Sequence, residues 1–476
     1  MKSKKTLILV PLLFFLNFCV FSQDLSGVWK GNLSFNNMEL PLIFNIVKED
    51  KNYRVALISP KQLKSEIPVS VKMLQNDSIL FISKAINATY KAILKGDKMQ
   101  GIFYQNNQKL PLTMSKSDKE VNDDFIERKQ DPVPPYPYTE EEVSFKNATA
   151  GDIQFSATLT IPNHISNPPV VILISGSGPQ DRNGEVLLHR PFLVMADHLT
   201  RKGIAVLRYD DRGTFKSKGK FKGATTYDFA SDVEAAIAFL KNNKKYTFDK
   251  LGLVGHSEGG LIAPMVASQN NQVDFIVMLA APGVSGKEIL RSQIEKSLQL
   301  AGTSKKNIEV SDKVLQIIVS EIYSNKSEVV ETLNDKIEGK ISEFHNTLSD
   351  SLKAIMPVDG MMHTAKAFTS DPWMRTFIKI DPGRYLTTIK VPVLALNGSK
   401  DYQVIPEINL PVIETTLEKS GNPDYTVKEL EGLNHLFQQS KTGAATEYET
   451  NEETFNERAL SIISDWILSK TTKKGK

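Results

Sequence analysis

The sequence predicts a mostly parallel, doubly wound α/β sheet with a helical insertion, preceded by a small antiparallel β domain. Three observations carry this. Between residues 24 and 116, short strand-like runs follow one another with turn residues between them. From 142 onward, nearly continuous apolar runs alternate with amphipathic helical stretches, the pattern of parallel strands covered on both faces. Between the two regions, residues 117–141 are first charged and then rich in proline. Pro132, Pro134, Pro135 and Pro137 favour an extended, semi-rigid connector there.

The chain has 476 residues, 41% hydrophobic and 24% charged, ordinary values for a globular protein able to bury a large core. Its first 22 residues are set apart. Lys2, Lys4 and Lys5 precede the apolar run "TLILVPLLFFLNFCVF", and Val20 and Ser22 suit the small-residue positions of a cleavage site. That is the plan of a secretory signal, with cleavage after Ser22 and export to a periplasmic or extracellular space. The rival, a membrane anchor, has a run short for a span and interrupted by Pro11 and Asn17, so no stable membrane span is expected. Without those residues Lys+Arg falls from 58 to 55, against 55 Asp+Glu. The mature chain is therefore formally neutral, and its charge offers no reason to expect nucleic acid as a partner. Cys19, the single cysteine, leaves with the signal, which excludes disulfides, a thiol nucleophile and thiolate metal sites from the mature protein.

In the β domain (23–116), "GVWKGNLSF", "ELPLIFNIVKE", "YRVALIS", "SILFIS", "ATYKAILKG" and "KMQGIFYQ" read as strands. Leu40, Leu42, Phe44 and Ile46 recur with the period of two of a half-buried strand. "QND" (75–77) and "KGDK" (95–98) read as hairpin turns, and a barrel or sandwich is the expected closure.

The catalytic-type region (142–476) begins with "EVSFKN" and "DIQFSATLTIP". The apolar strands "VVILISG", "IAVLRYD", "LGLVG", "DFIVMLAA" and "VPVLALNG" follow. Residues 190–203 and 227–243 are helical, the second placing Phe229, Val233, Ala236, Ile237 and Leu240 on one face. Alternation stops between about 286 and 385, where only helical segments occur. Inserted beside the carboxyl ends of the strands, they are placed to cap a site.

"LGLVGHSEGG" (251–260) puts Ser257 between a strand and a helix, flanked by Gly255 and Gly259. A Gly-x-Ser-x-Gly string alone recurs by chance. On a sharp strand-to-helix turn it exposes the hydroxyl beyond the carboxyl edge of the sheet. A serine hydroxyl needs a base to take its proton. Among the seven histidines, His435 stands just after the final strand, and Asp401 lies in the loop after "VPVLALNG". This order Ser…Asp…His supplies a base and the acid that orients it. His256 is the rival base by proximity and Asp381 the rival acid, while the other histidines read as surface or packing residues. Two backbone donors are needed for the charge that develops on a substrate carbonyl oxygen. Glu258 N–H, at the helix start, is one; Ser177 N–H, in Ser175-Gly176-Ser177-Gly178-Pro179, is the second, with Gly178 the alternative. The glycine pair lacks the residues of a phosphate loop or dinucleotide fingerprint. Gly176, Trp373 and Phe377 are candidate substrate contacts, Trp373 and Phe377 reading equally as packing between insertion and sheet. The charges of "RYDDRG" (208–213) read as salt bridges that pin loops, and no spacing suggests a metal or other cofactor.

Together "ISGSGPQDRNG", "LRYDDRGTFKSKGKF", "GHSEGGLIAPMVA", "LAAPGVSGKEIL", "LNGSKDYQV" and "LNHLFQ" resemble the α/β-hydrolase superfamily. More narrowly they are similar to the EstD-like carboxylesterases, neighbours of the serine aminopeptidase type. The resemblance spans about 142–470 and implies an α/β-hydrolase fold with a helical cap. It also implies hydrolysis of carboxylic esters by Ser257, Asp401 and His435. Phe215 stands where such proteins usually carry glycine. The expected substrates are short acyl esters, with acetyl groups on carbohydrate as one candidate. An aminopeptidase or amidase of the same fold is the first alternative. A glycan- or partner-binding role of the β domain is the second.

Overall fold

The computed structural model describes residues 24–35, 38–50, 52–74, 78–105, 108–121, 128–325 and 329–471. The expected secretion signal with Cys19, the turn at 75–77 and part of the connector (122–127) lie outside them. Two compact units divide between residues 125 and 126.

The first unit is a closed up-and-down barrel of eight antiparallel strands. They are β1 (Gly27–Phe35), β2 (Met38–Glu49), β3 (Asn52–Ser59), β4 (Leu63–Met73), β5 (Ser78–Ser83), β6 (Ala88–Lys95), β7 (Lys98–Gln105) and β8 (Gln108–Ser117). β1 pairs with β8 to close it, leaving neither strand as a free edge. Two strands, β4 and β8, are missing from the sequence reading; each carries a proline, Pro68 and Pro111, although β2, which is read as a strand, carries Pro41. Proline cannot donate to a ladder, which argues against a strand in sequence. Here Pro68 is exposed and alternates with half-buried Ile67 and Val69, so the period of two survives. In β6, Ala88, Tyr90, Ala92 and Leu94 are buried while Lys91, Ile93 and Lys95 are exposed. Phe44, Phe81 and Tyr90 stack inside with ring centroids 4.7 to 6.0 Å apart. The Tyr90 hydroxyl donates to the Met99 and Leu112 carbonyls. The barrel interior is thus filled by side chains.

The second unit is built on an eight-stranded sheet. Its strands are β9 (Tyr138–Asn147), β10 (Ile153–Pro162), β11 (Val170–Ile174), β12 (Ala205–Tyr209), β13 (Leu251–His256), β14 (Phe275–Leu279), β15 (Val393–Gly398) and β16 (Tyr425–Leu430). Their order is 9-10-12-11-13-14-15-16, with β9 and β10 antiparallel and the remaining six mutually parallel. β9 begins four residues before the strand read from sequence, inside the expected connector, where the Tyr138 hydroxyl donates to Asp197 at 2.9 Å. The apolar runs are buried end to end in β11, β12, β14 and β15. Helices cover both faces, forming one core with α2 (Thr226–Lys241), α3 (Glu258–Ala267) and α11 (Pro406–Lys419). The other is formed with α1 (Pro191–Arg201) and α12 (Glu457–Thr471). This is the arrangement of an α/β-hydrolase.

Between β14 and β15 come only helices among the described residues. They are α4 (Gly286–Leu300), α5 (Lys305–Ser324), α6 (Val330–Asn346), α7 (Asp350–Ile355), α8 (Val358–Ser370), α9 (Pro372–Phe377) and α10 (Gly383–Leu386). The helical run breaks between α6 and α7, where Ser349 precedes a new helix. The insertion has its own apolar core, centred on Ile318, Ile337, Ile341 and Ala365, and this core includes Leu261 and Met265 of α3.

Candidate active site

β13 runs apolar and buried to Gly255, and α3 starts at Glu258, so the chain must reverse within two residues. Ser257 takes the reversal at φ 54°, ψ −117°, a region L-residues rarely occupy and one that costs of order 1–3 kcal/mol. The flanking glycines are required by contact. A Cβ on Gly255 would lie 1.9 Å from the Gly259 carbonyl oxygen, and one on Gly259 would lie 2.2 Å from that of Ile174. Ser257 N–H donates to the Leu279 carbonyl at 2.8 Å, fastening the turn to β14.

His435 follows β16 in a turn held by Asn434, whose side-chain oxygen accepts from Leu436 N and Gln438 N. Its Nδ1 meets Asp401 Oδ2 at 2.8 Å. The other carboxylate oxygen of Asp401 accepts from Gln403 N at 2.8 Å and Val404 N at 2.9 Å. With both oxygens so occupied, the carboxylate has one orientation, and it fixes the imidazole with Nδ1 as the protonated nitrogen. The rival groups are committed elsewhere. His256 Nε2 donates to the His435 carbonyl at 2.8 Å, and burial, with His435 beside it, pushes its pKa down to about 3. Asp381 accepts from Gly383 N at the start of α10.

Ser257 and His435 line one cavity of about 450 Å³ together with Gly176, Ser177, Glu258, Trp373 and Phe377; Asp401 sits behind His435. The structure therefore brings the favoured candidates to one place, while the rival acid Asp381 lies at the start of α10. Glu258 N–H belongs to the first turn of α3, whose amides have no partner within the helix. Its side chain is 2% exposed, and Oε1 accepts from Thr226 Oγ1 at 2.6 Å and Trp373 Nε1 at 2.7 Å. Burial pushes that carboxyl's pKa up.

The "RYDDRG" charges do pin loops. Arg182 makes a salt bridge to Asp210 at 2.9 Å, Arg212 to Asp232 at 2.7 Å and Arg208 to Glu140 at 3.1 Å. Asp211 does more than the sequence suggests. Its carboxylate accepts from Ser175 Oγ at 2.7 Å and Gln180 N at 2.8 Å, and so clamps both ends of the loop that carries Ser177. Burial pushes its pKa up to about 7. Phe215 sits at φ 46° and is half exposed, a left-handed position where glycine would be unstrained.

Sequence reasoning missed a polar side of the cavity formed by Gln293, Gln403 and Tyr448, linked by hydrogen bonds of 3.4 and 3.2 Å. Gln403 stands two residues after Asp401, the one available signal; nothing local marks Gln293 or Tyr448. Among the described residues, no group of three or more His, Cys, Asp or Glu is arranged to hold a metal ion. No helix among them is long and apolar enough to cross a membrane.

The sheet order, the strained serine turn and the capped cavity at the carboxyl end of β13 define an α/β-hydrolase. Residues 191–439 match the family described as "Serine aminopeptidase, S33", and the chain belongs to that family. It is also similar to Esterase EstD of Thermotoga maritima, 26% identical over 311 residues. That match covers 65% of this chain and 64% of the relative, so it spans less than two thirds of the relative's length. Similar solved structures include the Pyrococcus furiosus esterase Pf2001, at 15% identity and TM-score 0.42, covering 70% of this chain and 92% of that one. A proline iminopeptidase of Mycobacterium smegmatis aligns at 14% identity and TM-score 0.41, covering 70% and 99%.

Proposed function

We propose that the protein is an exported carboxylic ester hydrolase acting through Ser257, His435 and Asp401. The observation that carries this reading is the His435–Asp401 hydrogen bond behind a cavity that Ser257 and His435 share. In the first half-reaction, His435 Nε2 takes the Ser257 proton as Oγ bonds to the ester carbonyl carbon. The carbonyl oxygen becomes an oxyanion held by the Ser177 and Glu258 amides. The carbonyl re-forms as the C–O bond to the alcohol breaks, and the imidazolium gives that alcohol its proton. Water then repeats the sequence on the acyl-enzyme, releasing the acid and restoring Ser257. Asp401 stays ionised and stabilises the imidazolium between steps.

Ester is favoured over amino-terminal peptide substrates by the state of the carboxyl next to the serine. Glu258 is 2% exposed and its Oε1 is already taken by Thr226 and Trp373, so it is poorly placed to hold a substrate ammonium. The similarity to Esterase EstD points the same way. Turnover of nitrophenyl esters against aminoacyl nitroanilides tests the choice. Ester turnover should be the faster on purified protein, and faster anilide cleavage would overturn it. Export through residues 1–22 is tested by the mass of the mature protein from the periplasm or medium, which should begin at Gln23.

A further inference from the structure

We infer that the Glu258 side chain is a positioning residue that ties the cap to the serine turn, and that the substrate's acyl group is apolar and larger than acetyl, lying against the Trp373–Phe377 pair. A buried carboxyl beside a reacting centre is costly unless its partners use it. Its two donors come from segments distant in sequence. Thr226 opens α2, and Trp373 lies in α9 of the cap.

The bond to Trp373 has a consequence for the cavity. Trp373 is half buried and stacks on Phe377, with centroids 5.1 Å apart and planes within 16°. Both rings line the cavity with Ser257, Ile289 and Leu290. Asp371 accepts from Trp373 N at 3.0 Å, which holds the backbone, and Glu258 holds the far edge of the indole. The ring therefore has little freedom about its side-chain torsions. An acetyl group would leave this aromatic and aliphatic wall uncovered, whereas a chain of several methylenes or a flat ring would remove it from water. Each methylene buried should raise kcat/KM about fourfold.

Resting on the Ser257 acyl-enzyme reading, the test is a nitrophenyl ester series from acetyl to octanoyl on the full chain, wild type and variants. The Glu258 amide survives every side-chain substitution, so the oxyanion donor is kept. The wild type should show rising kcat/KM over at least the first few methylenes, and a flat profile overturns the inference. E258L removes the acceptor and should lower the hexanoyl-to-acetyl ratio by at least about tenfold. E258Q keeps an acceptor for Thr226 and Trp373 and should restore the ratio. A glutamine variant as impaired as the leucine one would assign the effect to charge and overturn the tether. Should E258L not fold, W373F decides, because it removes the N–H and keeps an aromatic ring; an unchanged ratio there overturns the inference. Ser257→Ala separates the two readings. Ester turnover that survives it refutes the parent mechanism, whereas serine-dependent turnover with a flat profile refutes only the tether and acyl assignment.

Discussion

Asp401→Asn is the substitution whose consequence the geometry specifies most fully. Asp401 Oδ1 accepts from two backbone amides, Gln403 N and Val404 N, and Oδ2 meets His435 Nδ1. An asparagine has one acceptor oxygen and one donor nitrogen. Turning its NH2 toward the two backbone amides would lose two buried hydrogen bonds and set donor against donor, at about 1–3 kcal/mol for each unsatisfied group. Turning it toward His435 requires only that the imidazole move its proton from Nδ1 to Nε2. The second arrangement should prevail. Nε2 then carries a proton and faces the cavity as a donor, so it cannot accept the proton of Ser257. We expect kcat to fall by roughly 10³–10⁴-fold, about 4–5.5 kcal/mol in the barrier, with KM little changed. The melting temperature should move by only a few degrees, since the backbone bonds to Oδ1 persist. Pre-steady-state acylation by a nitrophenyl ester measures the rate, and ¹⁵N NMR of the His435 ring reads the tautomer. A loss of acylation rate below about tenfold, or a ring still protonated at Nδ1, would refute the reasoning.

Further outcomes follow from the surrounding contacts. Gly259→Ala puts a Cβ 2.2 Å from one backbone oxygen and 2.6 Å from another, neither free to move aside. It should cost about 3 kcal/mol or more and abolish turnover, read by thermal melting and ester assay. The buried Asp211 carboxyl, at about 7 in the fold against an ordinary 3.8, binds its proton more tightly folded than unfolded. Its contribution to stability is complete below 3.8 and is lost as pH rises through 7, by an amount of order 4 kcal/mol. Asp211→Asn should therefore gain on the wild type between pH 4 and 7 in denaturant titrations, and parallel curves would count against this. His256, pushed by burial to about 3 from 6.5, works in the opposite sense. Its contribution is present above 6.5 and lost as pH falls toward 3, so His256→Gln should flatten the acid limb of the stability profile.

Much of this site is legible in sequence because its parts are local. Gly255 to Gly259 lie within one turn, and Asp401 follows a strand that announces itself by an apolar run, whereas His435 follows the short, largely polar strand YTVKEL and is legible by its place after the last strand. The loop proposed to supply the second oxyanion donor is legible for the same reason, as glycines and serines directly after β11. What sequence does not carry is pairing at a distance. In sequence Trp373 reads equally as packing or as substrate contact; only the fold places its indole on the carboxyl of Glu258, 115 residues earlier. Asp211 looked like one more charge in a salt-bridge loop, and its hold on Ser175 and Gln180 depends on β11 lying beside β12. In the barrel, β4 and β8 are absent from the sequence reading; each carries a proline, which local rules count against a strand and closure of the barrel tolerates, as it does Pro41 in the legible β2.

The most direct test of the central claim is rapid-quench mass spectrometry of the protein during turnover of nitrophenyl butyrate. The account predicts a butyryl group on the peptide containing Ser257, formed with a burst of about one nitrophenol per chain and absent from Ser257→Ala. Turnover with no acylated intermediate, an adduct on another residue, or ester hydrolysis that persists in Ser257→Ala would contradict it.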